Sequence, residues 1–395
     1  MPLSLYWLAL GAFAIGTATF VTAPLLPTIA AEFGVTVPTA GHLVSLYALT
    51  YAVGSPILST LLGNRDRKTL LVAALVAFAA ASLLGAAAQS FTQLMLVQAL
   101  TALAAGVFMP AATGVAAMLV APDKRGRAIS VIIGGLSVAM ALGVPIGSMI
   151  GGLTQWRVAF VLIAIAGAIG VAGLIAGLPK RLPRGSATLS ERIAIARRPD
   201  VQLALTVTLL WATGVFSFYT FVAPFLVSVG FARSSIPLVL FAFGAAGWLG
   251  TMVGGRMADR YGAVGTLAVV LAVLGANYLI FGMAGLAGPS PAAMASVIAA
   301  FAIGGVAGWA YQPAQTARLV QQAPDAAVVV LSLNQSALYF GTAAGAALGA
   351  LIASYGPVVN IAWMAAAFQF AALAMLGVAK WRAERLGTLR LQPAE

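Results

Sequence analysis

The chain has 395 residues, of which 62% are hydrophobic and 8% charged, against about 25% charged in soluble globular domains, and its mean hydropathy is +1.02. That composition excludes a soluble globular protein and requires a polytopic membrane protein. Cysteine is absent and His42 is the one histidine. Disulfides, thiolate catalysis and sulfur-ligated metal are thereby excluded, no histidine metal site is expected, and neither is a cofactor or an enzymatic activity.

Apolar runs of about 20 residues, the length that crosses a bilayer, fall at roughly 5–29, 40–62, 69–89, 93–120, 128–152 and 157–178. A polar interval at 179–200 precedes further runs at roughly 201–228, 236–257, 263–286, 291–317, 327–354 and 358–379, each again long enough to span. The first run has no basic leader and is read as a retained span. The expected class is therefore an all-α membrane protein with twelve transmembrane helices, in an N-terminal bundle (1–178), a cytoplasmic linker with a short surface helix (179–200), a C-terminal bundle (201–380) and a cytoplasmic tail (381–395). The surface helix is the segment LSERIAIARR, where Leu189, Ile193 and Ala196 share a face.

The formal charge of +12 would suggest nucleic acid in a soluble protein. Here the cations stand in the gaps between runs. With both termini cytoplasmic, Arg65, Arg67, Lys68, Lys124, Arg125, Arg127, Lys180, Arg181, Arg184, Arg192, Arg197, Arg198, Arg256, Arg260, Arg318, Lys380, Arg382, Arg385 and Arg390 lie inside, and only Arg157 and Arg233 lie outside. Retention of positive charge on the cytoplasmic side of a bacterial inner membrane explains the bias without nucleic acid. Anionic lipid headgroups are the expected contacts, and a monomer is expected.

Gly143, Gly147 and Gly151 fall on one helical face. Two backbones can touch along such a face, which in lipid replaces the hydrophobic drive between helices. Pro145 interrupts the same segment, removing an N–H and leaving the Ala141 carbonyl without its helical partner, so a bend is expected. A matching row, Gly341, Gly345 and Gly349, recurs late in the chain. Two such helices imply two related halves.

Short motifs add a family resemblance. Gly63-Asn-Arg-Asp66-Arg67-Lys68 and Gly255-Arg256-Met-Ala-Asp259-Arg260-Tyr-Gly262 resemble the G-x-x-x-D-R-x-G-R-K/R loop of the major facilitator superfamily, the first copy one residue short. The segment around Gly143-Val-Pro145-Ile-Gly147 is similar to that superfamily's antiporter motif. Gly16-Thr17, Leu26-Pro27-Thr-Ile-Ala30, Gly126-Arg127-Ala128, Trp156-Arg157-Val-Ala-Phe160 and Leu331-Ser-Leu-Asn334-Gln335-Ser-Ala-Leu-Tyr339 resemble its bacterial drug:proton antiporter and sugar-efflux branch. The resemblance implies two pseudo-symmetric six-helix bundles that alternate access to a central site, and export of a small molecule such as a phenicol-like drug or a sugar. An uncoupled facilitator, an uptake transporter and a transporter-like sensor remain alternatives.

Two positions depart from that branch. Where its members often carry Glu in the first span and Arg in the fourth, this chain has Ala18-Thr19-Phe20 and Gln98. All nine acids, Glu32, Asp66, Asp123, Glu191, Asp200, Asp259, Asp325, Glu384 and Glu395, lie at or beyond span ends. A charge at mid-membrane costs about 2.5–3.5 kcal/mol on insertion scales and is normally kept for transport chemistry. Its absence favours a neutral or amphipathic substrate held by aromatic faces, hydroxyls and amides. Helical position and the spans that line the cavity in similar proteins select Thr19, Phe20, Tyr47, Tyr51, Gln98, Met109, Met140, Phe216, Tyr219, Gln312, Asn334, Gln335 and Tyr339 for substrate binding. For the amides, interhelical bonding is the competing reading. Gating is expected of Gly143, Pro145, Gly147 and Gly151, and of Asp66 with Arg67 and Asp259 with Arg260. Each aspartate would place its charge at the N-terminus of a helix of the opposite half. For proton coupling the candidates are Glu32, His42 and Asp66, histidine being the side chain that ordinarily titrates near neutral pH.

Overall fold

The structure is a computed structural model in which residues 2–63, 65–121, 124–179 and 189–385 are described. Asn64, Asp123, the basic residues Lys180, Arg181 and Arg184, and the tail beyond Arg385 with Arg390 and Glu395 lie outside the described residues. Every regular element among the described residues is helical: α1 (Leu3–Phe33), α2 (Val37–Leu61), α3 (Arg67–Ala86), α4 (Phe91–Met118), α5 (Arg125–Val138), α6 (Val144–Leu153), α7 (Trp156–Gly177), α8 (Leu189–Ala196), α9 (Pro199–Thr220), α10 (Val222–Ser228), α11 (Ile236–Tyr261), α12 (Ala263–Ala287), α13 (Pro291–Gln322), α14 (Ala327–Tyr355) and α15 (Asn360–Arg385). Twelve spans are long and apolar enough to cross a bilayer, α5 with α6 forming the fifth.

Helix starts follow local chemistry. Thr36, Asp66, Ser90 and Ser290 each accept a hydrogen bond from the backbone N–H three residues on, at 2.9–3.2 Å, satisfying a donor the helix itself cannot. Gly34 ends α1 at φ 63, and Gly262, at φ 78, is the single residue between α11 and α12. Both sit in the left-handed region that glycine enters without Cβ strain. The bend expected at Pro145 takes the form of a π-turn over Ala139–Gly143. Because Pro145 offers no N–H to Ala141, the ladder widens and the Val144 N–H bonds back to the Ala139 carbonyl, five residues earlier. The seventh span, expected to run unbroken, divides at Phe221 into α9 and α10.

The helices form two groups. Residues of α1 to α7, including Leu8, Phe78, Phe108 and Trp156, share one apolar core, and residues of α9 to α15, including Phe218, Phe281 and Tyr311, share the other. Glycine sets the tightest contacts within each group. A Cβ on Gly143, Gly147 or Gly151 would fall 2.1–2.7 Å from Thr17, Val21 or Leu25 of α1. In the other half, a Cβ on Gly341 or Gly345 would fall 2.5 or 2.4 Å from the carbonyl oxygens of Leu209 and Thr213 on α9. The expected gating row around Pro145 therefore packs inside its own half. Its counterpart does the same, at the equivalent helix pair.

Basic residues gather at one end of the molecule, termed the basic face. There Lys68 Nζ donates to the Ile175 and Leu178 carbonyls at 2.6 and 2.7 Å, a cation at the negative end of α7. At the opposite face Glu32 accepts from both Trp156 Nε1 and Arg157, and Arg157 Nη2 also reaches the Ala88 carbonyl at 2.6 Å. One of the two cations expected on that side is thus neutralised by a clasp that ties α1, α7 and the α3–α4 turn together. The linker helix α8 seats Ile195 against Val201, Ala204, Leu319, Ala323 and Val330 at the basic face.

Replacing Gly345 by Leu drives a side chain into the α9 backbone, an overpacking worth on the order of 1–3 kcal/mol, and is expected to lower the thermal unfolding midpoint of purified protein. Gly377→Leu, on an exposed helix surface with nothing within 4 Å of the new Cβ, is expected to leave that midpoint unchanged.

Candidate functional site

The two groups of helices meet at mid-depth around an aromatic cluster. Phe20 of α1 stacks on Phe216 of α9 with centroids 6.2 Å apart and meets Tyr219 edge-on at 6.1 Å. Tyr51 of α2 stacks on Tyr339 of α14 at 3.7 Å. Gly244 of α11 lies so close to the π-turn that a Cβ there would fall 2.5 Å from the Ala141 Cα. The π-turn also presents Met140, whose Sδ accepts from the Tyr219 hydroxyl at 3.6 Å. Tyr219 Oη lies 3.2 Å from the Phe20 carbonyl oxygen as well. Each of these contacts crosses from one half to the other.

Enclosed among them is a cavity of about 10 Å³ lined by Thr19, Phe20, Ala23, Val44, Tyr47, Phe216, Tyr219, Tyr339 and Thr342, room for roughly one water molecule. Its polar groups are hydroxyls. Thr19 Oγ1 gives its proton to the Ile15 carbonyl at 2.8 Å, so at the 2.9 Å contact between Thr19 and Tyr47 it is the Tyr47 hydroxyl that donates. No charged side chain lines the cavity. Contact between α11 and the fifth span is concentrated on the π-turn and α6 and thins along α5, and α10 touches α1. The halves are therefore closed together at mid-depth and toward the face opposite the basic one.

Of the residues selected from sequence for binding, Thr19, Phe20, Tyr47, Phe216, Tyr219 and Tyr339 line the cavity, and Tyr51 and Met140 buttress it. The remaining five are elsewhere. Gln98 donates to Thr22 Oγ1 at 3.2 Å between α4 and α1, Met109 is buried in the N-terminal core, and Asn334 accepts from Thr208 at 2.7 Å between α14 and α9. Gln312 is half-buried on α13, and Gln335 is exposed one turn before Tyr339. For Gln98 and Asn334 the interhelical reading holds, because an amide with a partner within its own bundle has no need of a wet cavity.

The gating and coupling candidates do not converge on the cavity. Asp66 Oδ2 accepts from the Thr69 N–H at 2.9 Å and the Thr69 hydroxyl at 3.1 Å. It caps α3 of its own half, where a helix of the opposite half was expected, because the sharp turn before α3 leaves that helix end nearest. Arg67 is half-buried in the first turn of α3, and Asp259 is exposed in the last turn of α11. Arg260 lies over the Tyr261 ring at 5.4 Å. Glu32 is held in the clasp with Trp156 and Arg157, and His42 is exposed on the first turns of α2.

Sequence reasoning missed Gly244, the first of a glycine series (Gly244, Gly247, Gly250, Gly254) whose later members pack on α13 while Gly244 alone meets the other half, and Thr342, three residues past Tyr339 and so on the same helical face. It also missed a network inside the C-terminal bundle. Thr208 Oγ1 donates to Asn334, accepts from Gln315 Nε2 at 2.9 Å and lies 3.1 Å from Tyr311 Oη, and Tyr311 stacks on Trp211 at 4.0 Å. Arg318, expected in a loop, lies within α13 on the same face as Gln315 and Tyr311 and is 4% exposed. A larger groove of about 360 Å³ between α2, α3 and α4 is lined only by Leu, Ala and Val. It offers no polar group to orient a ligand.

Comparison with known proteins accords with this geometry. The pattern of the Major Facilitator Superfamily matches residues 8–346. The chain is 35% identical over 350 residues to the chloramphenicol resistance protein of Streptomyces lividans, covering 87% of this chain and 88% of the relative. It is 33% identical to the inner membrane transport protein YdhP of Escherichia coli (strain K12), covering 88% of each. Among solved structures, a bacterial homolog of the human lysosomal transporter Spinster, in an inward-facing and occupied conformation, superposes with a TM-score of 0.74 at 17% identity, covering 95% of this chain and 96% of that one. The chain is a multi-pass secondary transporter belonging to the major facilitator superfamily.

Proposed function

We propose that this transporter exports a small neutral or amphipathic molecule from the cytoplasm across a bacterial inner membrane by alternating access, with the basic face cytoplasmic. The observation that carries the reading is the cavity at the junction of the halves, built from aromatic faces and hydroxyls with no charged side chain on its lining. A permanent cation entering it would lose hydration with no carboxylate in return, whereas an aromatic or hydroxyl-bearing neutral molecule finds both of its complements. The fold closes toward the opposite face, so outward release requires the α11 contact with the π-turn and α6 to part while the basic ends of α5 and α11 approach. In that second state Asp66, Arg67, Asp259 and Arg260 at the basic face form the closing latch. The likeness to a chloramphenicol resistance protein makes a phenicol the first substrate to test and a neutral sugar the second.

Proton antiport is the coupling implied by the same resemblance. A second reading, uncoupled facilitation, is supported by a specific observation: Glu32, His42 and Asp66 all stand away from the cavity, and Glu32 is engaged by Trp156 and Arg157. In proteoliposomes, antiport predicts uphill movement of labelled chloramphenicol driven by a pH gradient. Counterflow that is blind to the gradient selects the facilitator.

Removing one face of the stack in Tyr339→Ala, or Phe216→Ala, takes away an aromatic contact worth about 0.5–1.5 kcal/mol. The half-saturating substrate concentration in a binding or counterflow assay is expected to rise roughly 2- to 13-fold. Gln98→Leu, which touches only the N-terminal bundle, is expected to leave it unchanged. Glu32→Gln is expected to lower the thermal midpoint, by loosening the clasp, without changing the ratio of flux with and without a pH gradient; a lost ratio at an intact midpoint would place Glu32 in coupling.

A further inference from the structure

Among the described residues Arg318 is the one charged side chain that is fully buried. It is 4% exposed, its Nε and Nη1 are buried without an acceptor, and among the described residues it makes no hydrogen bond or ion pair. Leaving charged donors buried and unpaired is among the costliest arrangements a fold can hold. Two amide oxygens on the same side of α13, Gln315 Oε1 and Gln322 Oε1, are likewise buried without a donor. Orphaned donors and orphaned acceptors therefore share one stretch of helix.

Depth says what can reach them. At 32 residues, α13 is roughly 48 Å long, against about 30 Å of hydrocarbon, so its last turns rise into the headgroup layer. Arg318 stands in those turns at the basic face, beside the small core where α8 packs on Val201, Leu319 and Val330. A second guanidinium, that of Arg192, is carried by α8, whose Ile195 packs into the same small core. Arg192 Nη1 donates to Ser332 Oγ on α14 at 2.7 Å while its Nε is buried with no partner. Burial lowers the Arg192 guanidinium from its ordinary value. Of the carboxylates around this corner, Asp200 is occupied by Arg198 at 2.9 Å, and Arg198 also donates to the Gln322 carbonyl; Glu191 adjoins Arg192 on α8, and Asp325 follows the end of α13.

We infer that the unpaired Arg318 guanidinium is a binding site for a phosphate-bearing anion that also carries a hydroxyl donor, either a phosphatidylglycerol headgroup or hydrogen phosphate, admitted when the side chains that enclose it part. The phosphoryl oxygens accept from Arg318 Nε and Nη1, a planar donor pair suited to that group. A hydroxyl of the bound group, one of those on the glycerol headgroup or the single P–OH of hydrogen phosphate, donates to Gln315 Oε1 or Gln322 Oε1. Arg192 supplies positive charge at the rim. The site lies in the C-terminal bundle and is independent of what the central cavity carries.

The test is thermal unfolding of the full-length protein in a neutral maltoside detergent, titrated with phosphatidylglycerol against phosphatidylcholine, and with potassium phosphate against potassium chloride of equal ionic strength. A midpoint raised by several degrees is expected with phosphatidylglycerol or phosphate and not with the matched control. A rise with the lipid alone identifies the headgroup, and a rise with phosphate identifies the free anion. In Arg318→Gln the rise is lost, while the midpoint without anion stays level with the parent or exceeds it, because the orphaned cation is gone. Arg318→Lys and Arg192→Gln, milder changes, each weaken the half-maximal concentration several-fold, and Arg233→Gln, exposed at the opposite face, retains the full response. The proposal is overturned if neither phosphate species moves the midpoint, or if the Arg318 variants respond as the parent does.

Discussion

Close backbone contact through glycine is the interaction on which the rest of this molecule rests. Lipid tails solvate a leucine as well as a neighbouring helix does, so helices in a bilayer are held by dispersion and shape, and both reward near approach. Gly143, Gly147 and Gly151 press the fifth span onto α1, and Gly341 and Gly345 press α14 onto the α9 carbonyls. These are equivalent pairs in the two halves. Each half is thereby a tight body, and the two meet along α2 and α14 and at the π-turn, with the small cavity enclosed between them.

At that junction the backbone anomaly set by Pro145 does more than bend a helix. Widening the ladder into a π-turn lets Gly244 of α11 lie against Ala141 and presents Met140 to the Tyr219 hydroxyl. The same segment thus faces α1 through its glycines and the other half through its irregular turn. A regular helix of that sequence would need an N–H that proline does not have. The one place where the fifth span departs from α-geometry is the place where the two halves touch most closely along it.

Charge is managed by position. Lys68 closes the end of α7, Glu32 absorbs Arg157, Asp66 caps α3, and Asp200 takes Arg198. What remains at the centre is phenol, hydroxyl and hydrocarbon, which accounts for the neutral chemistry of the cavity. Arg318 escapes this pattern because α13 outruns the hydrocarbon layer, so a residue near its end can be enclosed by protein and still lie at headgroup depth.

The twelve spans and the pairing of the halves were legible in the sequence, because apolar run length, glycine spacing and charge between runs are each imposed by the bilayer on a local stretch of chain. So were the residues at the aromatic junction, since Thr19, Phe20, Tyr47, Phe216, Tyr219 and Tyr339 lie on helix faces that the repeat turns inward. Tertiary structure alone decided which polar groups had already found partners: Gln98 with Thr22, Asn334 with Thr208, Glu32 with Trp156 and Arg157. It alone brought Gly244 to the π-turn and enclosed Arg318. The physical reason is common to all of these. A hydrogen bond or a burial depends on what stands opposite across a helix pair, and residues tens to hundreds of positions apart in the chain carry no local sign of facing one another.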